Sequence, residues 1–224
     1  EERYTRRKNE GGFPYQSLRA LLEYTGIDLA DIDYVCVCGH MTPPLPVRIF
    51  PFLHGWLFDA YREREDTLFK KFVDLVMFHT PVSRTSEQSL SRRFTRRLLP
   101  VVMRRALPPG LRRTPIQFSE HHRAHAAGAW FCSGFDEALC LTADGMGDGL
   151  SMTVSHAVTG RPIERLWTAP AGSSFGLFFE VLAQAFGFTP CRDEGKITGL
   201  AATGNAENVR EPSPFTLVDG ILTY

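Results

Sequence analysis

The 224-residue chain lacks several features that would assign it directly to a class of protein. It has no net charge, with 25 basic and 25 acidic residues, so nothing predicts bulk attraction to nucleic acid or to a membrane. No apolar run reaches membrane-spanning length, because charges interrupt residues 47–78 repeatedly. The five cysteines form no C-x-x-C pair, which argues against a disulfide framework or structural zinc site and favours a reduced, cytoplasmic setting.

The stretch around residues 118–130 carries the clearest chemical pattern. Apolar residues 115–118 predict a short buried strand, and the small residues after His125 predict a closely packed helix. On that helix His121 and His125 lie one turn apart on one face, so their imidazoles can converge on one ion, whereas His122 points about 100° away. A zinc protease needs Glu directly after the first His, and His122 stands there instead. Capping or core histidines are the alternative.

A glycine-rich hairpin follows. Residues 137–144 predict a strand that ends in the carboxylate of Asp144, residues 145–149 predict a turn, and residues 150–155 predict the returning strand. Two imidazoles and one carboxylate are the usual ligand set of a catalytic divalent metal with open positions. A Rossmann motif does not fit the G-x-G-x-G spacing, and an EF-hand would need regular acidic ligands and a closing Glu.

Four motifs, in this order, resemble the carbamoyltransferase family of nodulation and antibiotic-tailoring enzymes. They are E-E-R-Y-T-R-R-K at residues 1–8 with Phe13-Pro14 behind it, H-H-x-x-H-A from His121, D-G-x-G-D-G from Asp144, and E-G-K-I-T-G-L-A at residues 194–201. The resemblance implies an α/β fold: an incomplete actin/hexokinase-like (ribonuclease-H-like) domain with mixed sheets flanked by helices, related to the tRNA threonylcarbamoylation protein. Thr198 stands where the family usually has Met, which blurs the apolar packing of the last motif.

The same resemblance predicts the domain organisation. Residues 1–131 would be the remainder of a first actin-like lobe, with a helical insertion at about 41–114, and residues 132–224 would begin the second lobe. We expect the chain to be a fragment, because family members begin with a further hairpin and continue into a C-terminal carbamoyl phosphate domain that is absent here. The sequence begins without Met, and its first residues do not have the pattern expected of a signal peptide.

The activity implied by the resemblance is ATP-dependent O-carbamoyl transfer. The C-terminal domain would make carbamoyl-adenylate from carbamoyl phosphate and ATP, and the domain present here would pass the carbamoyl group to a small hydroxylated acceptor. The general base is expected in the preceding hairpin, so the fragment alone is expected to be inactive. No membrane partner is expected, and nucleic acid is disfavoured.

The resemblance also assigns roles to residues. The metal, iron or zinc, would be bound by His121, His125 and Asp144. Cofactor-binding residues would lie in the hairpin turn, where glycines let the backbone approach phosphate and N–H groups can cradle an anion: Gly145, Gly147, Asp148 and Gly149. Catalytic candidates facing the anionic ligand are Lys8, Glu194 and Lys196. The alternatives are a plain hairpin, a solvated turn at Lys8, and a surface pair of Glu194 with Lys196.

Two other functions stay open. One is threonylcarbamoyl transfer to tRNA. The arginine-rich helix predicted at residues 86–107 points weakly toward it, whereas the E-G-K and E-E-R motifs point away from it. The apolar residues of that helix favour an amphipathic helix with a solvated basic face. The other is a nucleotide-binding module without catalysis.

Further elements predicted from spacing are a helix at 15–24 stopped by Gly26, a buried strand at 34–38, a loop at 168–174 with Ser173 or Ser174 as helix cap, and a helix at 175–188 with core aromatics.

Overall fold

The computed structural model describes residues 1–7, 11–40, 45–56, 68, 90–190, 192–208, 216–218 and 221–223. It is a mixed α/β structure with parallel and antiparallel sheets and flanking helices, as predicted. The chain divides into two compact units, Glu1–His121 and His122–Tyr224. In the described part of the chain, no helix is long and apolar enough to cross a membrane. The actin-like arrangement into lobes stays a prediction.

The first unit combines short helices with one pair of parallel strands. Its helices are α1 (Glu2–Thr5), α2 (Tyr15–Thr25), α3 (Leu45–Ile49) and α4 (Leu90–Ala106), with a helical turn at residues 52–56 and 3-10 turns at Leu29–Asp31 and Pro109–Leu111. Its strands are β1 (Val35–Cys38) and β2 (Ile116–Ser119), paired in parallel. Gly26 ends α2 in the left-handed conformation (φ 69°), which confirms the predicted stop.

The predicted burial of the two strands is wrong. In β1 the side chains of Cys36 and Cys38 are exposed, and no residue of β2 is buried. The apolar composition predicted strands covered on both faces, but these two pair only with each other among the described residues, and alternate side chains of β1 reach solvent.

Helix α4 is amphipathic, as its pattern predicted. Leu99 is 1% exposed, whereas the described arginines of the helix are exposed: Arg96, Arg97, Arg104 and Arg105. The helix continues through Pro100. The residues predicted to begin it, 86–89, lie outside the described part of the chain, as does nearly all of the helical segment predicted at 57–78.

The second unit is built on an antiparallel sheet. The sheet has the order β3 (Glu137–Gly147), β4 (Leu150–Val158), β5 (Glu164–Pro170), and a separate pair joins β6 (Thr216–Val218) to β7 (Ile221–Thr223). Its helices are α5 (His121–Phe131), which begins at the last residue of the first unit, α6 (Phe175–Ala185) and α7 (Glu194–Ala201), with 3-10 turns at Ala171–Ser173 and Ala206–Asn208. The loop predicted at residues 168–174 is wrong in its first half, because Thr168–Pro170 pairs with β4 and extends β5.

Helix α5 covers one face of the sheet. Ala126 and Trp130 pack on Cys140 of β3 and Ala157 of β4, and all four are buried. Helix α6 contrasts with it, because three of the five aromatics predicted for the core are exposed: Phe175 by 38%, Phe179 by 37% and, just beyond the helix, Phe186 by 63%. A helix that is apolar all round needs cover on every side, and among the described residues α6 packs mainly on β3 and α7.

Candidate functional site

The periodicity of helix α5 places one of its three histidines on the buried face and the other two on a more exposed face. His122, Ala126 and Trp130 follow one another at intervals of four, and all three face inward and are buried. His121 and His125 also lie one turn apart, on the adjoining face, where His121 is partly exposed and the side chain of His125 is 54% exposed. His121, the last residue of the first unit, is the first residue of this helix, so the helix fixes its place beside His125.

Strand β3 brings Asp144 to the same place through a bulge. Strands β3 and β4 pair regularly from Glu137 to Ala143, the register then shifts, and pairing resumes at Gly147 opposite Leu150. A bulge turns side chains out of the regular alternation and often lies beside a functional site. Asp148 (φ 53°) and Gly149 (φ 88°) complete a two-residue turn of the kind that needs positive φ at both positions.

The donor atoms of His121, His125 and Asp144 all lie within 4.8 Å of one another. His125 Nε2 is 3.4 Å from Asp144 Oδ2. Two ligands bound at the usual zinc distances on a tetrahedral ion are about 3.3 Å apart, so this pair already has suitable spacing. The ring nitrogen of His121 lies within 4.8 Å of the other two donor atoms, so a small rotation of its side chain would bring it to the same ion. Two imidazoles and one carboxylate therefore fit a divalent cation in both chemistry and spacing.

Neighbouring backbone and side chains orient Asp144. The Gly145 N–H donates to Asp144 Oδ1 at 2.7 Å, which leaves Oδ2 directed at His125. The Asp144 carbonyl accepts a hydrogen bond at 3.0 Å from Ser174 Oγ, and Ser174 Oγ also accepts from the Leu177 N–H at 3.2 Å. Ser174 is thus the cap predicted for helix α6, and it joins the start of that helix to the backbone of the bulge.

The residues of the hairpin turn are more buried than expected for a turn whose backbone would contact a cofactor. Gly147, Asp148 and Gly149 are buried, and Asp148 is only 4% exposed. Gly145 is partly exposed and is the one of the four candidate cofactor-binding residues with an accessible backbone. A side chain on Gly176 would meet the Gly145 Cα at 2.6 Å, so the first turn of α6 lies directly against the bulge.

Two of the three catalytic candidates, Glu194 and Lys196, lie in the first turn of helix α7. The Lys196 ammonium is 3.1 Å from Asp193 Oδ1 and 5.5 Å from the centre of the Phe188 ring, and its side chain is 59% exposed. The hydrogen bond from Lys196, with that from the Thr189 N–H, lowers the pKa of Asp193. Lys196 therefore pairs with Asp193 and does not form the surface pair with Glu194 considered from the sequence.

Glu194 has a different environment, since its Oε1 atom is buried and no described residue donates a hydrogen bond to it. Burying a carboxylate oxygen without a donor costs free energy. Lys8 lies outside the described residues.

Sequence reasoning missed several residues that support the site. Thr142 and Thr153 are buried and hydrogen-bonded to each other across the hairpin, and Asp193 holds Lys196. The sequence did contain a signal for Thr142. It follows Cys140 by two positions on an apolar strand, so its hydroxyl is on the same face as Cys140 and, if buried there, needs a hydrogen-bond partner.

Comparison with known proteins assigns the family. Residues 1–212 match the family described as carbamoyltransferase N-terminus. Nodulation protein NolNO of Sinorhizobium fredii is 29% identical over 205 residues, covering 92% of this chain and 25% of the relative. An uncharacterised protein of Synechocystis is 28% identical over 216 residues (93% and 31%), and nodulation protein NolO of Bradyrhizobium diazoefficiens is 36% identical over 93 residues (41% and 16%). The chain thus spans a third or less of the length of these relatives, and it belongs to the carbamoyltransferase N-terminus family.

Proposed function

We propose that this chain carries the acceptor side of an ATP-dependent O-carbamoyltransferase. In this reaction carbamoyl-adenylate, made from carbamoyl phosphate and ATP, gives its carbamoyl group to the hydroxyl of a small acceptor. Family membership supports the transferase class. The observation that carries the site assignment is the convergence of His121, His125 and Asp144 at the bulge of the hairpin.

These three residues would hold a divalent iron or zinc ion. When bound, such an ion acts as a Lewis acid that stabilises negative charge developing on a carbonyl or phosphate oxygen. The chain's own contribution is preorganisation. The Gly145 N–H fixes the Asp144 carboxylate, and helix α5 fixes the spacing of the histidines, so no large rearrangement is needed at the moment of reaction.

The transfer step is a substitution at the carbamoyl carbon. The acceptor oxygen forms a bond to that carbon, the bond between the carbon and the adenylate oxygen breaks, AMP leaves, and the hydroxyl proton passes to a general base. Negative charge grows on the departing phosphate. An ammonium suits that charge, and Lys196 is exposed while Asp193 and Phe188 limit its movement.

Metal analysis of His125→Ala tests the site. We expect the purified wild-type protein to retain divalent metal through extensive dialysis, and His125→Ala to lose it, because one of the three donors is gone. His156→Ala is the matched control, since His156 lies in the same unit, on strand β4, and its Nε2 is 2.7 Å from Glu137 Oε1, outside the cluster. Equal metal content in all three proteins would contradict the site. A wild type that binds no added metal would favour the nucleotide-binding module.

Threonylcarbamoyl transfer to tRNA is the second candidate. The exposed arginines of α4 favour it, since a row of guanidinium groups suits a phosphate backbone. A gel shift with tRNA separates the two functions. Binding that Arg96→Ala/Arg97→Ala abolishes would support the tRNA reaction, and lack of binding at physiological salt supports transfer to a small acceptor.

A further inference from the structure

The third histidine of the motif forms a buried hydrogen-bond network of its own. His122 is fully buried. Its Nδ1 is 2.9 Å from Thr142 Oγ1, and its Nε2 is 3.0 Å from the Leu150 carbonyl oxygen. Thr142 Oγ1 is in turn 2.8 Å from Thr153 Oγ1, which is also fully buried. One side chain of α5 is therefore bonded to both strands of the hairpin.

The chemistry of the partners fixes the direction of the bond to Leu150 and, for a neutral imidazole, the directions of the other two bonds. A carbonyl oxygen only accepts, so Nε2 of His122 carries the proton donated to Leu150. In the neutral ring Nδ1 then accepts from the Thr142 hydroxyl, and the Thr142 oxygen accepts from Thr153. Each hydroxyl therefore has one place in the chain of bonds, and deleting the Thr142 hydroxyl removes two of the bonds at once.

The network lies next to the metal-ligand cluster on both elements. On the helix, His122 follows His121 directly, and its ring centroid is 6.2 Å from that of His125. On the hairpin, Thr142 precedes Asp144 by two positions, and Leu150 pairs with Gly147 where regular pairing resumes after the bulge. The bonds therefore tie the first turn of α5 to the two ends of the bulge that carries Asp144.

We propose that His122 is a positioning residue for the metal centre. Its bonds to Thr142 and Leu150 hold the histidine pair in register with Asp144, so that His125 Nε2 and Asp144 Oδ2 keep their 3.4 Å spacing. This inference rests on the proposed metal site. An apolar residue could fill the same volume without desolvating polar groups, but it would leave the helix free to shift along the sheet. The hydrogen bonds supply the fixed geometry.

The test compares Thr142→Val with Thr142→Ser by Co²⁺ titration. Valine keeps the shape of threonine but lacks the hydroxyl, whereas serine keeps the hydroxyl and loses the methyl group. The visible absorption of Co²⁺ reports coordination geometry as well as affinity. We expect Thr142→Val to weaken Co²⁺ binding about tenfold, within the range found for residues that orient metal ligands, and to alter the bands. Thr142→Ser should titrate like the wild type.

Cys140→Ala is the control for loss of packing. Cys140 is buried two positions earlier on the same strand and packs against the same helix, but it lies outside the network. If Cys140→Ala weakens Co²⁺ binding as much as Thr142→Val at an equal urea midpoint, or if Thr142→Val leaves affinity and spectrum unchanged, the positioning role is wrong.

Two further variants keep the test informative. Should Thr142→Val fail to fold, Thr153→Val removes only the outer bond and should weaken binding by less, about two- to threefold, below the range for direct orienting partners; an unchanged titration would overturn the proposal. His125→Ala separates the two inferences. If it binds Co²⁺ like the wild type, the metal site itself is wrong; if it loses Co²⁺ while Thr142→Val does not, only the role of His122 is wrong.

Discussion

Gly176 offers a sharp test of how helix α6 is seated on the bulge. An alanine there would place its Cβ 2.6 Å from the Gly145 Cα and 3.0 Å from the Gly145 nitrogen. Carbon atoms in ordinary contact are about 3.5–4.0 Å apart, so one of the two backbones must move by roughly 1 Å. Both contacts are with backbone atoms, and a change of rotamer cannot relieve them. Gly176→Ala is therefore expected to be destabilising.

The magnitude follows from two opposing terms. Overpacking of this kind costs about 1–3 kcal/mol, and alanine regains up to about 1 kcal/mol over glycine in a helix. Because Gly176 is only the second residue of α6 and the full propensity gain applies to helix interiors, the net loss is about 1–2 kcal/mol. Gly128 is the matched control, because it is an exposed glycine within α5 whose added Cβ would meet nothing within 4 Å. Gly128→Ala should therefore stabilise the protein by about 0.5–1 kcal/mol.

Urea unfolding followed by tryptophan fluorescence measures both changes, since Trp130 and Trp167 both belong to the second unit. With slopes of about 1–3 kcal/mol per molar urea, the midpoints of the two variants should separate by roughly 1 M. If Gly176→Ala unfolds at the wild-type midpoint or above it, the close contact between α6 and Gly145 is wrong. A loss in Gly176→Ala accompanied by an equal loss in Gly128→Ala would also refute the reasoning.

Two further predictions concern the start of helix α6 and the start of helix α7. Ser174→Ala removes the cap bond to Leu177 and the bond to the Asp144 carbonyl, and should cost about 1–2 kcal/mol in urea unfolding; Ser173→Ala, which removes neither bond, should cost clearly less, and equal losses would contradict this. The hydrogen bond from Lys196 lowers the pKa of Asp193 below its ordinary 3.8, so its stabilising effect is full above that pH and is lost as pH falls through the lowered pKa. The difference in urea midpoint between wild type and Asp193→Asn should therefore shrink below pH 3.8, and a difference that does not change with pH would contradict the pairing.

Local patterns predicted the elements of the site well. The one-turn spacing of His121 and His125, the hairpin after Glu137 and the cap at Ser174 all depend on residues a few positions apart, and each is found in the structure. Burial was harder to predict, because it depends on what covers a segment. The apolar pattern at residues 175–188 gave the helix, but it could not show that Phe175 and Phe179 would be more than a third exposed.

The amino-acid sequence by itself determined the helix, the hairpin, the types of side chain at the candidate site and, through its four motifs, the family. Only the tertiary structure decided that Asp144 Oδ2 lies 3.4 Å from His125 Nε2, that His122 turns inward onto Thr142 and Leu150, and that Lys196 pairs with Asp193 and not with Glu194. The reason is geometric. Helix and strand periodicities fix directions over one or two turns, whereas the distance between a helix and a bulged strand depends on the packing of side chains between them.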